Sequence, residues 1–186
     1  MVRTVLAALV CLLALFPALL PASAPRDETW ILIDTRELTL SVFRGDHLVR
    51  RFENISIGRR GTSIDKRSQD ETTPLGEYHV IRIARDSIFH RFYHLDYPTP
   101  AQGRRALEAG VISEREERAI ERAAREHRIP PQYTALGGSI GIHGVGAGNL
   151  RIHEDFNWTE GCVALTNEQL DQLDVYIDIG TRVVIR

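Results

Sequence analysis

Period-two alternation of apolar and polar residues dominates this chain, and helical periodicity is confined to a few stretches. Trp30-Ile31-Leu32-Ile33 is an apolar run, Asp34-Thr35-Arg36-Glu37 a polar tetrad, and Leu38, Leu40 and Val42 then alternate with polar neighbours. That pattern predicts a β-hairpin. Arg44-Gly45-Asp46 makes the next turn, and His47 to Ile57 reads as a third strand with Val49, Phe52 and Ile55 as its apolar positions. Gly58 to Thr73 has no apolar period and reads as an exposed, solvated connection, the alternative being the rim of a binding site. Thr73-Pro74-Leu75-Gly76 turns the chain into a strand over Glu77 to Ile83, where Tyr78 and Val80 alternate.

Helical patterning is clearest from Ser113 to His127. Ser113 with Glu116 forms a capping box, and Glu114–Arg118 and Glu121–Arg125 are opposite charges at i,i+4. Ile120, Ala123, Ala124 and His127 give only a narrow apolar face, so the segment reads as a surface helix within an insertion of about 104–130. It is either a lid or a peripheral insertion. Ser139 to Gly144 reads as a short strand that delivers His143 at its end, followed by a loop to Trp158. Cys162-Val163-Ala164-Leu165 is a buried-looking strand. Thr166 or Asn167 caps a helix over Glu168 to Ile177, and Thr181 to Ile185 is a closing strand. The sum is a mainly β (α+β) chain with one or two helices.

The N-terminus changes the picture of where this domain works. Arg3, the apolar run from Val5 to Leu20 and the small-x-small Ala22-Ser23-Ala24 have the form of a signal peptide over residues 1–24. An uncleaved anchor is the competing reading. Its removal shifts the net charge from −2 to −3 and leaves residues 25–186, a length suited to one domain with a real core. So balanced a charge gives no support for nucleic acid as a partner. Contact with a membrane is expected only through the signal segment, if uncleaved.

Cysteine usage then points to chemistry. Cys11 lies in the signal segment, which leaves Cys162 with no intrachain disulfide partner and makes reactivity the first explanation to test. A thiol attacks as thiolate, so it needs a base, and His143 is the candidate. Gly161 removes bulk beside the thiol, and N–H groups near Gly161 and Cys162 are candidate donors to an oxyanion. Jointly these are the parts of an acyl-transfer site. His90 and His94 are spaced for a metal on a helix, but Tyr97-Pro98-Thr99-Pro100 opposes a long helix there, and local packing is the reading preferred. No metal is expected.

His143-Gly144, a gap of fourteen residues, Thr159-x-Gly161-Cys162 and then Asn167 resemble the signature of the L,D-transpeptidase catalytic domain, or YkuD-type, family. The run Trp158 to Asn167 is similar to the Gram-negative murein L,D-transpeptidase subgroup, and the resemblance extends from about residue 31 to 186. It implies a β-sandwich or barrel with one or two peripheral helices, periplasmic placement and no cofactor. It also implies a peptidoglycan tetrapeptide stem as donor. Cys162 would attack the carbonyl at the L-centre of diaminopimelate, with His143 as general base and acid. Gly144 would orient the imidazole through its carbonyl, Thr159 would brace the loop and Gly161 would serve the oxyanion hole. Two departures stand out. Glu160 occupies a position often held by histidine and takes a positioning role. Ala164 occupies one often held by arginine, so substrate carboxylates need other donors, among them Arg151, Arg91, Arg59 and Arg60. His153 is either a loop histidine or a partial substitute for the missing one, and Asn167 is a further substrate-binding candidate. Water in place of an amine acceptor would make the enzyme an L,D-carboxypeptidase, or an amidase releasing wall-linked protein or peptide. A non-catalytic wall-binding module is the reading from another class.

Overall fold

A computed structural model describes residues 27–186, so the signal segment lies outside the described residues. The expected hairpin forms from β1 (Thr29–Asp34) and β2 (Thr39–Arg44), with Trp30 opposite Phe43 and their rings stacked at 4.7 Å. Asp34 organises the turn by accepting the N–H groups of Arg36 and Glu37, each at 3.2 Å. The third strand, β3 (His47–Phe52), is shorter than the pattern suggests, and Val49 is exposed. Asn54, with φ of 55°, turns the chain away from β2. Phe52 and Ile55 are buried as the alternation requires.

The remaining strands are the two-residue pair β4 (Thr62–Ser63) and β5 (Thr73–Pro74), β6 (Gly76–Ser87), β7 (His90–Leu95), β8 (Gly141–Gly144), β9 (Val163–Leu165) and β10 (Arg182–Ile185). Eight of the ten strands among the described residues form one mixed sheet in the order β3-β2-β1-β10-β6-β7-β8-β9. The closing strand β10 enters the middle of the sheet, parallel to β1 and antiparallel to β6. Its inward residues Val183 and Ile185 are buried. The sheet curls until its edges meet. Just past β3, Ser56 exchanges backbone hydrogen bonds with Ala164 of β9, at 2.9 and 2.7 Å, and Gly58 bridges Thr159. This closure gives the barrel character and leaves β9 without a free edge.

Ile31, Ile33, Leu40, Val42, Tyr93, Ile142, Val163 and Leu165 fill the interior. Each aliphatic side chain buried this way contributes about 1.5–3 kcal/mol.

Four helices occur among the described residues, against one or two expected: α1 (Pro100–Glu108), α2 (Glu114–Arg125), α3 (Leu150–Asp155) and α4 (Asn167–Leu173). Pro100, weighed as a helix breaker, occupies the first turn of α1, where it lacks only an N–H that would be unpaired anyway. Thr99 and Gln102 complete a capping box. The stretch expected to hold a helical insertion, about 104–130, carries this helical pair, which starts at Pro100 and ends at Arg125. Ile120 of α2 is fully buried, and its Cδ1 lies 3.4 Å from the point where a side chain on Gly103 of α1 would begin. His127 falls beyond the helix, with φ of 50°. Neither α1 nor α2 lines the cleft described below.

Gly141 decides how closely β7 and β8 approach. A Cβ there would sit 2.2 Å from Cε1 of Phe92 and 2.4 Å from the Tyr93 carbonyl oxygen. Gly141→Ala should therefore destabilise the fold by about 1–3 kcal/mol, read as a lowered urea midpoint, because neither the backbone nor the packed ring can yield freely.

Candidate active site

Two neighbouring parallel strands carry the candidate residues. Ile142 pairs with Val163, His143 with Ala164 and Gly144 with Leu165. The register extends back to set Cys162 beside Gly141. Because side chains alternate, Cys162 and His143 project from the same face. Both line one cleft of about 600 Å³, together with Phe89, Phe92, Ser139, Trp158 and residues of the 58–73 segment.

His143 is buried on all sides but this cleft. Its Nδ1–H donates to its neighbour's carbonyl, Gly144 O, at 2.7 Å, which leaves Nε2 as the free lone pair. Phe89 lies 4.5 Å from the imidazole, Phe92 stacks on it at 5.3 Å, and Trp158 meets it edge-on at 5.7 Å. Burial among these rings pushes its pKa from the usual 6.5 to about 4, against the opposing pull of the Gly144 hydrogen bond.

The half-buried thiol of Cys162 donates to the Ser139 carbonyl at 3.2 Å. Burial raises its pKa to about 11, while a backbone hydrogen bond from Gly141 and the charge of Lys66 pull it down. Both shifts favour the uncharged forms, a protonated thiol and an unprotonated imidazole.

A tight turn presents the cysteine. Thr159 donates its hydroxyl to Cys162 O at 2.6 Å and accepts the Gly161 N–H at 3.1 Å. Thr159 is itself tied to the 55–60 segment through Arg59 N–H and Ile57 O. Gly161 has φ of +131°, and a Cβ there would meet Thr72 O at 2.6 Å and Lys66 Nζ at 3.1 Å. The space that its missing side chain leaves is thus filled by the protein's own loop, not left for a substrate carbonyl. Its N–H, already committed to Thr159, is not a free oxyanion donor.

The other candidates separate. Glu160 is exposed at the rim, 3.5 Å from Arg59, which also reaches Glu71. Arg59 lines the cleft; Arg60 turns to Glu71, and Arg91 is held by Asp171 and Asp174. Arg151 lies exposed on α3, away from the cleft. His153, buried on α3, accepts the Trp158 indole N–H at 3.3 Å and so acts on the cleft wall through that ring. Asn167 pins the 144–146 loop by donating to Gly146 O and accepting Gly146 N–H.

The 58–73 segment is not a solvated connection. Arg59, Lys66, Ser68 and Gln69 line the cleft. Lys66, missed in the sequence reading, is only 4% exposed. A signal was available: it is the single lysine among 23 basic residues. His90 bonds Asp171 on an exposed face, and no group of three metal-ligating side chains occurs among the described residues.

A fold with a cysteine–histidine cleft of this kind defines a class, and the comparisons agree on which. The model of the L,D-transpeptidase catalytic domain (YkuD) matches residues 28–185, and the chain belongs to that family. Similar solved structures include Bd1075 of Bdellovibrio bacteriovorus, at 19% identity and TM-score 0.55, over 86% of this chain and 48% of that one. The helical cell shape determining protein Pgp2 of Campylobacter jejuni gives 20% and 0.54, over 86% and 47%. The L,D-transpeptidase of Xylanimonas cellulosilytica gives 18% and 0.51, over 89% and 64%. The chain thus spans about half the length of the first two. At these identities the likeness is one of fold. A search of curated proteins finds no match.

The depressed pKa of His143 has a stability consequence. The unfolded chain takes up this proton near pH 6.5 and the native state only near 4, so acid favours unfolding across that window. As pH falls from 6.5 to 4, the wild type should lose about 3 kcal/mol more unfolding free energy than His143→Gln, measured by urea titration at each pH.

Proposed function

We propose that the protein is an exported L,D-transpeptidase that modifies peptidoglycan through a Cys162 thioester. The observation that carries this is the placement of Cys162 and His143 on one face of paired strands, in one cleft, with the histidine tautomer set by Gly144. His143 Nε2 takes the thiol proton as Sγ attacks the carbonyl at the L-centre of a diaminopimelate-containing stem peptide. The tetrahedral oxygen lies beside the Cys162 backbone. Collapse breaks the amide bond, and the imidazolium returns its proton to the leaving amine. An acceptor amine then attacks the thioester, losing its proton to Nε2, and frees the thiol. Glu160, an exposed carboxylate at the rim, suits a cationic acceptor. Water in that role yields hydrolysis at the same centre. Residues 1–24 carry the chain to the periplasm as a signal peptide, and wall-linked protein is a candidate partner at the acceptor or leaving site.

Incubation with a tetrapeptide stem or a carbapenem should give a mass-detectable adduct on wild type and none on Cys162→Ala. An adduct that persists in the variant overturns the assignment. Adding an amine acceptor to purified muropeptides should convert donor to cross-linked product, and release of the terminal residue without cross-links would assign the hydrolytic reaction instead.

A further inference from the structure

Lys66 is a buried cation against the nucleophilic turn, and the acyl-transfer chemistry above does not use it. Its side chain enters from the 58–73 segment and ends behind Glu160-Gly161-Cys162. Nζ lies 3.4 Å from Glu160 O and 3.1 Å from the point where a Gly161 side chain would begin. It lines the same cleft as Cys162. Its partner Asp70, at 2.7 Å, is held independently by the N–H groups of Arg67, at 2.5 Å, and Thr72, at 3.0 Å. The loop is therefore built around Asp70 and presents the ammonium to the turn.

That turn needs positive charge. Attack by Cys162 creates negative charge first on sulfur and then on the tetrahedral oxygen. The Gly161 N–H is committed to Thr159, so one donor expected for that charge is missing. Arg59 is engaged at the rim by Glu71 and Glu160, and no other arginine lines the cleft. We propose that the Lys66 ammonium stabilises the charge developed at Cys162 and its adduct, with the Asp70 carboxylate offsetting part of that charge. Lys66 thus acts as a positioning and electrostatic residue of the nucleophilic turn. In transpeptidation this role rests on the function proposed above, but its effect on the thiol itself does not. The ammonium is a compact point charge on a flexible stem, suited to a site close behind Gly161.

The charged and titratable groups around the turn are Lys66 and Asp70 from the loop, Arg59 and Glu71 across the rim, Glu160 on the turn and His143 on β8. Changing Lys66 and Asp70 in turn separates charge from bracing. Iodoacetamide alkylation of the full chain, followed across pH on the Cys162 peptide by mass, reads the thiol pKa without any peptidoglycan substrate. Lys66→Met should raise that pKa by about 0.5–1 unit, a three- to tenfold loss of thiolate at fixed pH. Asp70→Asn removes the opposing charge and should lower it. Opposite shifts support the proposal. Shifts of the same sign, or none, overturn it, since a mere brace would be loosened by either change. Circular dichroism melts confirm that both variants are folded, and Lys66→Gln or Asp70→Ser, which make the same charge changes with different packing, replaces either one that is not. Failure of the adduct assay with unchanged alkylation shifts would remove the transpeptidase reading and leave the Lys66 assignment standing.

Discussion

Closure of the sheet is the constraint on which the rest of this molecule depends. β8 and β9 have four and three residues, too few to hold a register by themselves. β8 is pinned on one side by β7, where Phe92 stands opposite His143. β9 is pinned on its outer side by Ser56, whose paired hydrogen bonds with Ala164 join the far edge of the sheet to the strand that follows the nucleophile. A slip of one residue in either strand would move Cys162 to the opposite face from His143. The relation between Cys162 and His143 is therefore a property of the whole barrel, including the hairpin most distant from it in sequence.

Burial then tunes what the closure has positioned. The aromatic walls around His143 exclude water and keep the imidazole neutral. The same desolvation keeps the Cys162 thiol protonated. A site that suppresses charge on both partners relies on fixed dipoles and charges at the moment of attack. The fixed groups beside the two side chains are the Gly144 carbonyl on the imidazole, the backbone about Cys162 and the ammonium of Lys66, which bonds Asp70 and the Glu160 carbonyl.

Local signals were legible because they act through neighbours in sequence. The first hairpin, the Ser113 capping box, the Thr166 cap and the alternation in the last strand each rest on side chains a few positions apart. Helices α1 and α3 were harder for the same kind of reason in reverse. Pro100 and Asn149 start α1 and α3, yet a proline pair and a glycine-rich loop look like breakers when the first turn is not recognised. The 58–73 segment had no periodicity to read. It is ordered by Asp70 capping its own backbone and by Lys66 reaching a turn 94 residues away, and composition carries neither contact.

From sequence alone came the residue types proposed for the chemistry: one unpaired cysteine after a glycine, a histidine at the end of a glycine-rich strand and a threonine beside the turn. The mainly β character followed from period two. The tertiary structure decided which of these residues meet. It inserted the last strand between β1 and β6, joined β9 to the chain beyond β3, and closed a charged loop behind Gly161. It also moved Arg151 and Asn167 out of the cleft and brought Lys66 in. The physical reason is that these placements follow from burying one continuous core beneath a curled sheet. That requirement sums over residues more than a hundred positions apart and leaves no local mark.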